Sequence, residues 1–156
     1  MEKFIEYLNK SQRSLILADH VVYVTFPLIK DKRLMFKALN EIYNSLLDSI
    51  NAILQYEYFY KRIQLYRDAK TNFRTFTEQC ASRYNLGEAQ IRKIIEIFKL
   101  MEKPKASPFE FIRDDKIVIM SDNLHTESIT LEKLKDFLLQ AKDILRKAEN
   151  TIKNRL

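Results

Sequence analysis

Residues 131–152 read LEKLKDFLLQAKDILRKAENTI, and this stretch decides the fold. Leu131, Leu134, Leu138, Ala141, Leu145, Ala148 and Ile152 recur at alternating steps of three and four. That is the period of an α-helix with one apolar side. Ser128 or Thr130 stands where a side-chain oxygen can cap the first free backbone N–H groups. Three heptads of this kind fit a bundle seam or a short coiled-coil contact with another chain.

The same arithmetic extends over the rest of the chain. Phe4, Leu8, Ser11, Leu15, Ala18, Val22 and Phe26 lie at steps of four and three, which predicts a helix over 2–28 that Pro27 kinks or ends. Lys30-Asp31-Lys32 then forms a polar turn. A second, longer helix is expected over 32–65, with Leu39, Ile42, Leu46, Ile50 and Ile53 as its core stripe. Its opposite stripe of Asn44, Asp48, Asn51 and Gln55 reads as solvent face or as a polar contact with a partner helix. Arg67-Asp68-Ala69-Lys70 is expected to turn, and helices should follow over 72–83 and 88–102. Tyr84-Asn85-Leu86-Gly87 breaks the first of these, and Lys103-Pro104-Lys105 and Ser107-Pro108 stop the second.

Between 103 and 128 the pattern changes. Phe109 to Arg113 and Lys116 to Met120 are β-prone runs around Asp114-Asp115, which read as a hairpin or as a short helix followed by an extended strand. The expected fold is therefore all-α: one domain over 1–156, a bundle of about five helices, with a small β-hairpin or extended excursion before the last helix.

The chain has a single Gly where a protein of 156 residues usually has about eleven. A phosphate-cradling loop needs two or three glycines for close backbone approach, so nucleotide-binding loops of that kind are excluded. One Cys and two distant His exclude an internal disulfide, a thiolate zinc cage and an H-E-x-x-H metal site. No metal site and no cofactor is expected. Asp114, Asp115 and Asp122 read as solvated turn acids rather than a magnesium site, His125 as a loop residue and Cys80 as a buried inert thiol. The absence of a transmembrane run or export signal, with the free Cys80, points to the cytoplasm and to no membrane partner.

The net charge is +6, and Lys142, Arg146, Lys147, Lys153 and Arg155 outnumber Asp143 and Glu149 near the C-terminus, which favours an acidic partner. The most distinctive local feature is Tyr56-Glu57-Tyr58-Phe59-Tyr60-Lys61-Arg62, with Tyr66 and Arg67 beyond it. On a continuous helix Tyr56, Tyr60 and Arg67 share one side, and Tyr58 and Arg62 another. Rings beside cations suit single-stranded RNA, although aromatics ringing a helix also build cores and subunit interfaces. Tyr56, Tyr60, Arg62 and Arg67 are the candidate binding residues. Arg13 and His20, two helical turns apart, are the candidate catalytic pair for metal-independent RNA cleavage, with His as acid or base and Arg stabilising the charged phosphorane. Their other reading is a surface Arg and a His satisfied by a polar neighbour.

The long second helix, the run Phe109-Glu110-Phe111-Ile112-Arg113 through Met120, and Ser128-Ile129-Thr130-Leu131-Glu132 opening a terminal helix with Ala141 and Ala148 resemble the HEPN superfamily. That resemblance implies a small helical bundle, commonly dimeric, of the kind found in toxins, RNA-cleaving effectors and partners of minimal nucleotidyltransferases. Active members carry R-x4-6-H late in the chain, yet five to seven positions after Arg113 stand Val118, Ile119 and Met120. Arg13 to His20 satisfies R-x6-H, but in the first helix and with Ser14 after the Arg. The resemblance thus implies a member that has lost cleavage. The resulting expectation is a non-catalytic intracellular interaction module, homodimeric, binding RNA or an acidic, nucleic-acid-associated protein. The alternatives are a ribonuclease using Arg13 and His20, and a homo-oligomeric scaffold joined through the 131–152 seam.

Overall fold

The structure, a computed structural model, describes residues 2–106, 110–113, 116–120 and 126–154, with the backbone alone described from 103 to 128. All seven residues of the first apolar stripe are buried. They lie on α1 (Lys3–His20), a π-turn (Val21–Thr25) and α2 (Phe26–Ile29), which together form one continuous helical run. Pro27 therefore neither ends nor breaks it. The Phe26 N–H reaches back five residues to the Val21 carbonyl, and this wider turn makes room where an α-helix would press the proline ring against the preceding turn. Lys30 adopts a left-handed conformation (φ 57°) that closes the run. Asp31 then accepts the Arg33 backbone N–H at 3.0 Å and pairs with its guanidinium at 2.8 Å, in the polar turn that the sequence implied.

The central helix, α3 (Arg33–Phe59), carries the whole expected stripe from Leu39 to Ile53 into the core. It ends six residues earlier than periodicity alone suggests. On its α1 side the contact is built on hydroxyls: Ser11 donates to the Ser45 carbonyl (2.9 Å), and its oxygen lies 2.8 Å from both Ser45 Oγ and Ser49 Oγ. All three serines are fully buried. Small side chains let the two backbones approach, and mutual hydrogen bonding removes the cost of burying polar atoms.

Asp68 caps α4 (Ala69–Thr75), accepting from the Lys70 N–H and from Thr71 Oγ1. The expected turn at Arg67–Lys70 is thus already a helix start. The chain continues through a second π-turn (Phe76–Cys80) and a 3₁₀ turn (Ala81–Tyr84) to Asn85, whose φ of 57° makes the break. The next helix, α5 (Glu88–Ala106), runs past Lys103 and Pro104 and ends just before Ser107-Pro108, the second of the two expected stops.

The excursion is a sheet. β1 (Glu110–Arg113) pairs antiparallel with β2 (Lys116–Met120), in a register that sets Arg113 opposite Lys116, so the hairpin reading holds. A third strand, β3 (Thr126–Thr130), pairs with β2 where a loop was expected. It passes without a connection into α6 (Leu131–Lys153), with Thr130 as cap accepting from the Lys133 N–H at 3.1 Å. Leu134, Leu138, Ala141, Leu145, Ala148 and Ile152 are all buried within the chain's own bundle, so this seam is not offered to another chain. Among the described residues, no helix is long and apolar enough to cross a membrane.

Candidate nucleic-acid interface

The Tyr/Arg run sits where α3 stops. The Arg62 N–H bonds the Glu57 carbonyl and the Lys61 N–H bonds the Tyr58 carbonyl, both at 2.9 Å, with Lys61 left-handed at φ 59°. This is the Schellman ending of a helix, with a lysine in the place usually taken by glycine. It overturns the face assignment expected from a continuous helix. Arg62 folds back over the Tyr56 and Tyr60 rings, at 5.8 and 5.3 Å from their centroids, instead of projecting with Tyr58. Arg67 lies beyond the helix, exposed on the following loop.

The four candidate residues have separate roles. Tyr56 is 2% exposed and packs edge-on against Phe4 (5.3 Å, 79°), so it belongs to the core. Tyr60 is 43% exposed. Arg62 is anchored at 2.8 Å to Glu57, whose side chain is 1% exposed, and Arg83 pairs with the other oxygen of the same carboxylate. Two guanidiniums on one buried carboxylate satisfy its oxygens in the way a buried charge requires. Glu57 continues the stripe of Ile50 and Ile53, and a charge at an apolar position was the available signal for it. Arg83, 26 positions away, gave none.

Cys80 and Tyr84 lie beneath this cluster. Burial, and secondarily the Glu57 carboxylate, push the Cys80 thiol up to about 12. It is an inert thiol, as its place on an apolar face implied. The same causes, burial first, push the Tyr84 phenol upward, and its hydroxyl has no hydrogen-bond partner among the described residues.

Around the cluster the surface is aromatic and basic. Tyr58, Phe59, Tyr60 and Tyr66 are all exposed. A groove of about 510 Å³ passes Lys3, Tyr58 and Phe59, and a smaller one of about 160 Å³ passes Arg62, Tyr66 and Gln79. Both are lined by Lys61, Ile63 and Gln64, so they meet at the turn. Lys61 and Arg67 make no ion pair among the described residues. The basic end of α6 differs: Lys142 pairs with Asp19, Arg146 and Lys147 with Asp143, and Lys153 with Glu149. Arg155 lies outside the described residues.

Arg13 and His20 are both exposed, but they line different grooves. Arg13 leans toward α3 beside Asp48, whose carboxyl is pushed up by burial against the opposing pull of Lys10 and Arg13. His20 leans toward α6, into a groove with Lys142 and Arg146. The expected polar stripe divides likewise: Asn44 and Asp48 border the Arg13 groove, and Asn51 lines a second cleft that shares Leu47 with it. Asp114, Asp115, Asp122 and His125 lie outside the described residues. No family model, curated protein or solved structure matches the chain.

Proposed function

We propose that the chain is a non-catalytic interaction module that binds single-stranded RNA across the turn after α3. The observation that carries this reading is three exposed rings, Tyr58, Phe59 and Tyr66, lining two grooves that meet at Lys61 and include Arg62, with Tyr60 and Arg67 exposed on the same segment. Bases stack on such rings at about 1–3 kcal/mol each, and cations neutralise the phosphates. Arg62 is held in place by Glu57 before any ligand arrives, so its ordering cost is already met. The relationship to HEPN bundles is part of the proposal, with the binding surface kept and cleavage lost. Labelled mixed-sequence RNA titrated at ~50 and ~200 mM salt tests it, because phosphate contacts weaken steeply with salt through counterion release. The triple change Lys61→Glu, Arg67→Glu, Tyr66→Ala leaves the Glu57 cluster intact. It should abolish binding; unchanged affinity rejects the site, and RNA shortened in EDTA rejects the non-catalytic reading.

A second surface supports self-association. Ile16, Tyr23, Val24, Leu28 and Ile29 are exposed along the C-terminal half of the α1–α2 run. Leu139 stands on α6 between Lys135 and Lys142, whose amines lie 5.4 and 6.0 Å from the Tyr23 ring centroid. Large apolar side chains left exposed together along one helical run suit an interface. A dimer through this strip predicts that Leu28→Glu with Ile29→Lys converts the protein to monomer in light scattering, with its circular dichroism preserved.

A further inference from the structure

The face of α3 turned toward α4 and α5 is packed differently from the face turned toward α1. Here large side chains hold the helices apart. Tyr43 meets Phe98 edge-on at 5.4 Å and 76°, and Phe98 meets Phe73 at 5.6 Å and 53°. The result is a cleft of about 470 Å³, within the range typical of small-ligand pockets. Its buried floor is Ile50 and Leu54, and Tyr43, Phe73 and Phe98 are half-buried along its walls.

The polar groups at its edge divide into committed and uncommitted. The Asn72 amide is engaged at both ends, donating to the Tyr66 carbonyl and accepting the Tyr66 N–H. Asn51 makes no hydrogen bond among the described residues. Lys70 and Lys99 both line the cleft and form no ion pair among those residues. Glu102 is the one acid in the lining, so the cleft carries a net charge of 2 − 1 = +1. Burial, and secondarily that carboxylate, raise the Tyr43 phenol above its ordinary range.

We infer that this cleft binds a small planar aromatic anion, its ring among Tyr43, Phe73 and Phe98 and its anionic group at Lys70 and Lys99. An aromatic wall offers stacking and edge contacts to a flat ring. The lysines are committed to no ion pair among the described residues, although Lys70 also helps hold the Asp68 carboxyl low, and Asn51 supplies one directed polar contact. A purely apolar ligand leaves both lysines without a role, and a cation is repelled by them. Two sources share this chemistry: a nucleoside monophosphate, and a free aromatic carboxylate. The cleft shares no lining residue with the grooves at the end of α3, so the inference stands independently of RNA binding.

The test is a titration of the full-length chain with the fluorescent sulfonate 8-anilinonaphthalene-1-sulfonate. One saturable site is expected, weakened about tenfold in the double variant Lys70→Glu, Lys99→Glu. Both are exposed residues, and unchanged circular dichroism will show that the fold survives. Leu47→Trp, which puts an indole into the cleft, should abolish the site. Displacement by adenosine 5′-monophosphate but not by indole-3-acetate assigns a nucleotide, and the reverse assigns a free aromatic acid. Displacement by neither, the absence of a saturable site, or an affinity unchanged in both variants overturns the inference.

Discussion

Two buried polar clusters sit on the same helix, and they solve different problems. Ser11, Ser45 and Ser49 are neutral, share their hydrogen bonds and draw α1 onto α3. Glu57, Arg62 and Arg83 are charged, and they tie the end of α3 to its own turn and to the 3₁₀ segment that carries Arg83. The neutral cluster needs nothing from solvent. The ionic one keeps its carboxylate dry while both guanidiniums reach the surface, with side-chain exposures of 32% and 45%. A neutral cluster can be closed over entirely, whereas a buried charge is tolerated where its partners stay partly hydrated. For that reason the ionic cluster lies at the surface, and the serine cluster is closed over between α1 and α3.

The contrast is broken hardest at Glu57. Glu57→Ala leaves two arginines without their shared acceptor and should cost about 3 kcal/mol in urea unfolding, at the low end for a broken buried pair because both arginines can turn outward. Ser45→Leu forces a branched chain between backbones held at serine distance and should cost about 2 kcal/mol by the same measurement. Ser49→Ala removes one hydroxyl while Ser11 keeps its bonds to Ser45, so the loss should be about 1 kcal/mol. Lys61→Gly should act in the opposite sense. It relieves a left-handed lysine and should raise the unfolding midpoint by the equivalent of about 0.5–1 kcal/mol, while weakening RNA binding. Stability and binding moving together in that variant would contradict the separation between anchor and contact residues.

Alkali provides a graded probe of the same region. The folded Cys80 thiol titrates near 12, against an ordinary value of 9.0. Below 9 the thiol is protonated in both states. Between the two values the unfolded chain alone releases the proton, so stability falls as pH rises through that window. Cys80→Ala should flatten this decline in thermal melts taken across it.

Much of the fold was legible because apolar period reports which side of a helix is covered. Every member of the first stripe, and six of seven in the last, are buried. The two β-prone runs left a hairpin and a short helix followed by a strand both open, and the β1–β2 pairing decides for the hairpin. What escaped depended on partners distant in sequence. The end of α3 is set by a lysine in a left-handed turn and by an arginine folding back to Glu57, neither of which alters the apolar spacing. β3 escaped because the chain to Glu127 reads as loop and Ser128 or Thr130 as a helix cap, and only pairing with β2 makes the segment a strand. Pro27 is accommodated next to a π-turn, and α5 passes Pro104 by two residues before ending at Ala106, ahead of Ser107-Pro108. The aromatic run was visible as the outstanding feature. Which of its rings are core and which are surface was decided by the turn at Lys61.

The π-turn at Val21–Thr25 amounts to one residue more than an α-helix needs. It works as a phase shifter: everything beyond it is rotated by about 100° relative to an uninterrupted helix. Val22 and Phe26 on one side, and Val24 and Leu28 on the other, keep their inward and outward positions across it. Removing a single residue from this turn would restore regular α-helical spacing and turn the exposed Leu28 and Ile29 away from their present face. The apolar strip would end at Val24, and a proline would be left inside a regular helix. The outward face of this run is therefore controlled by chain length within one turn as much as by the side chains that compose it.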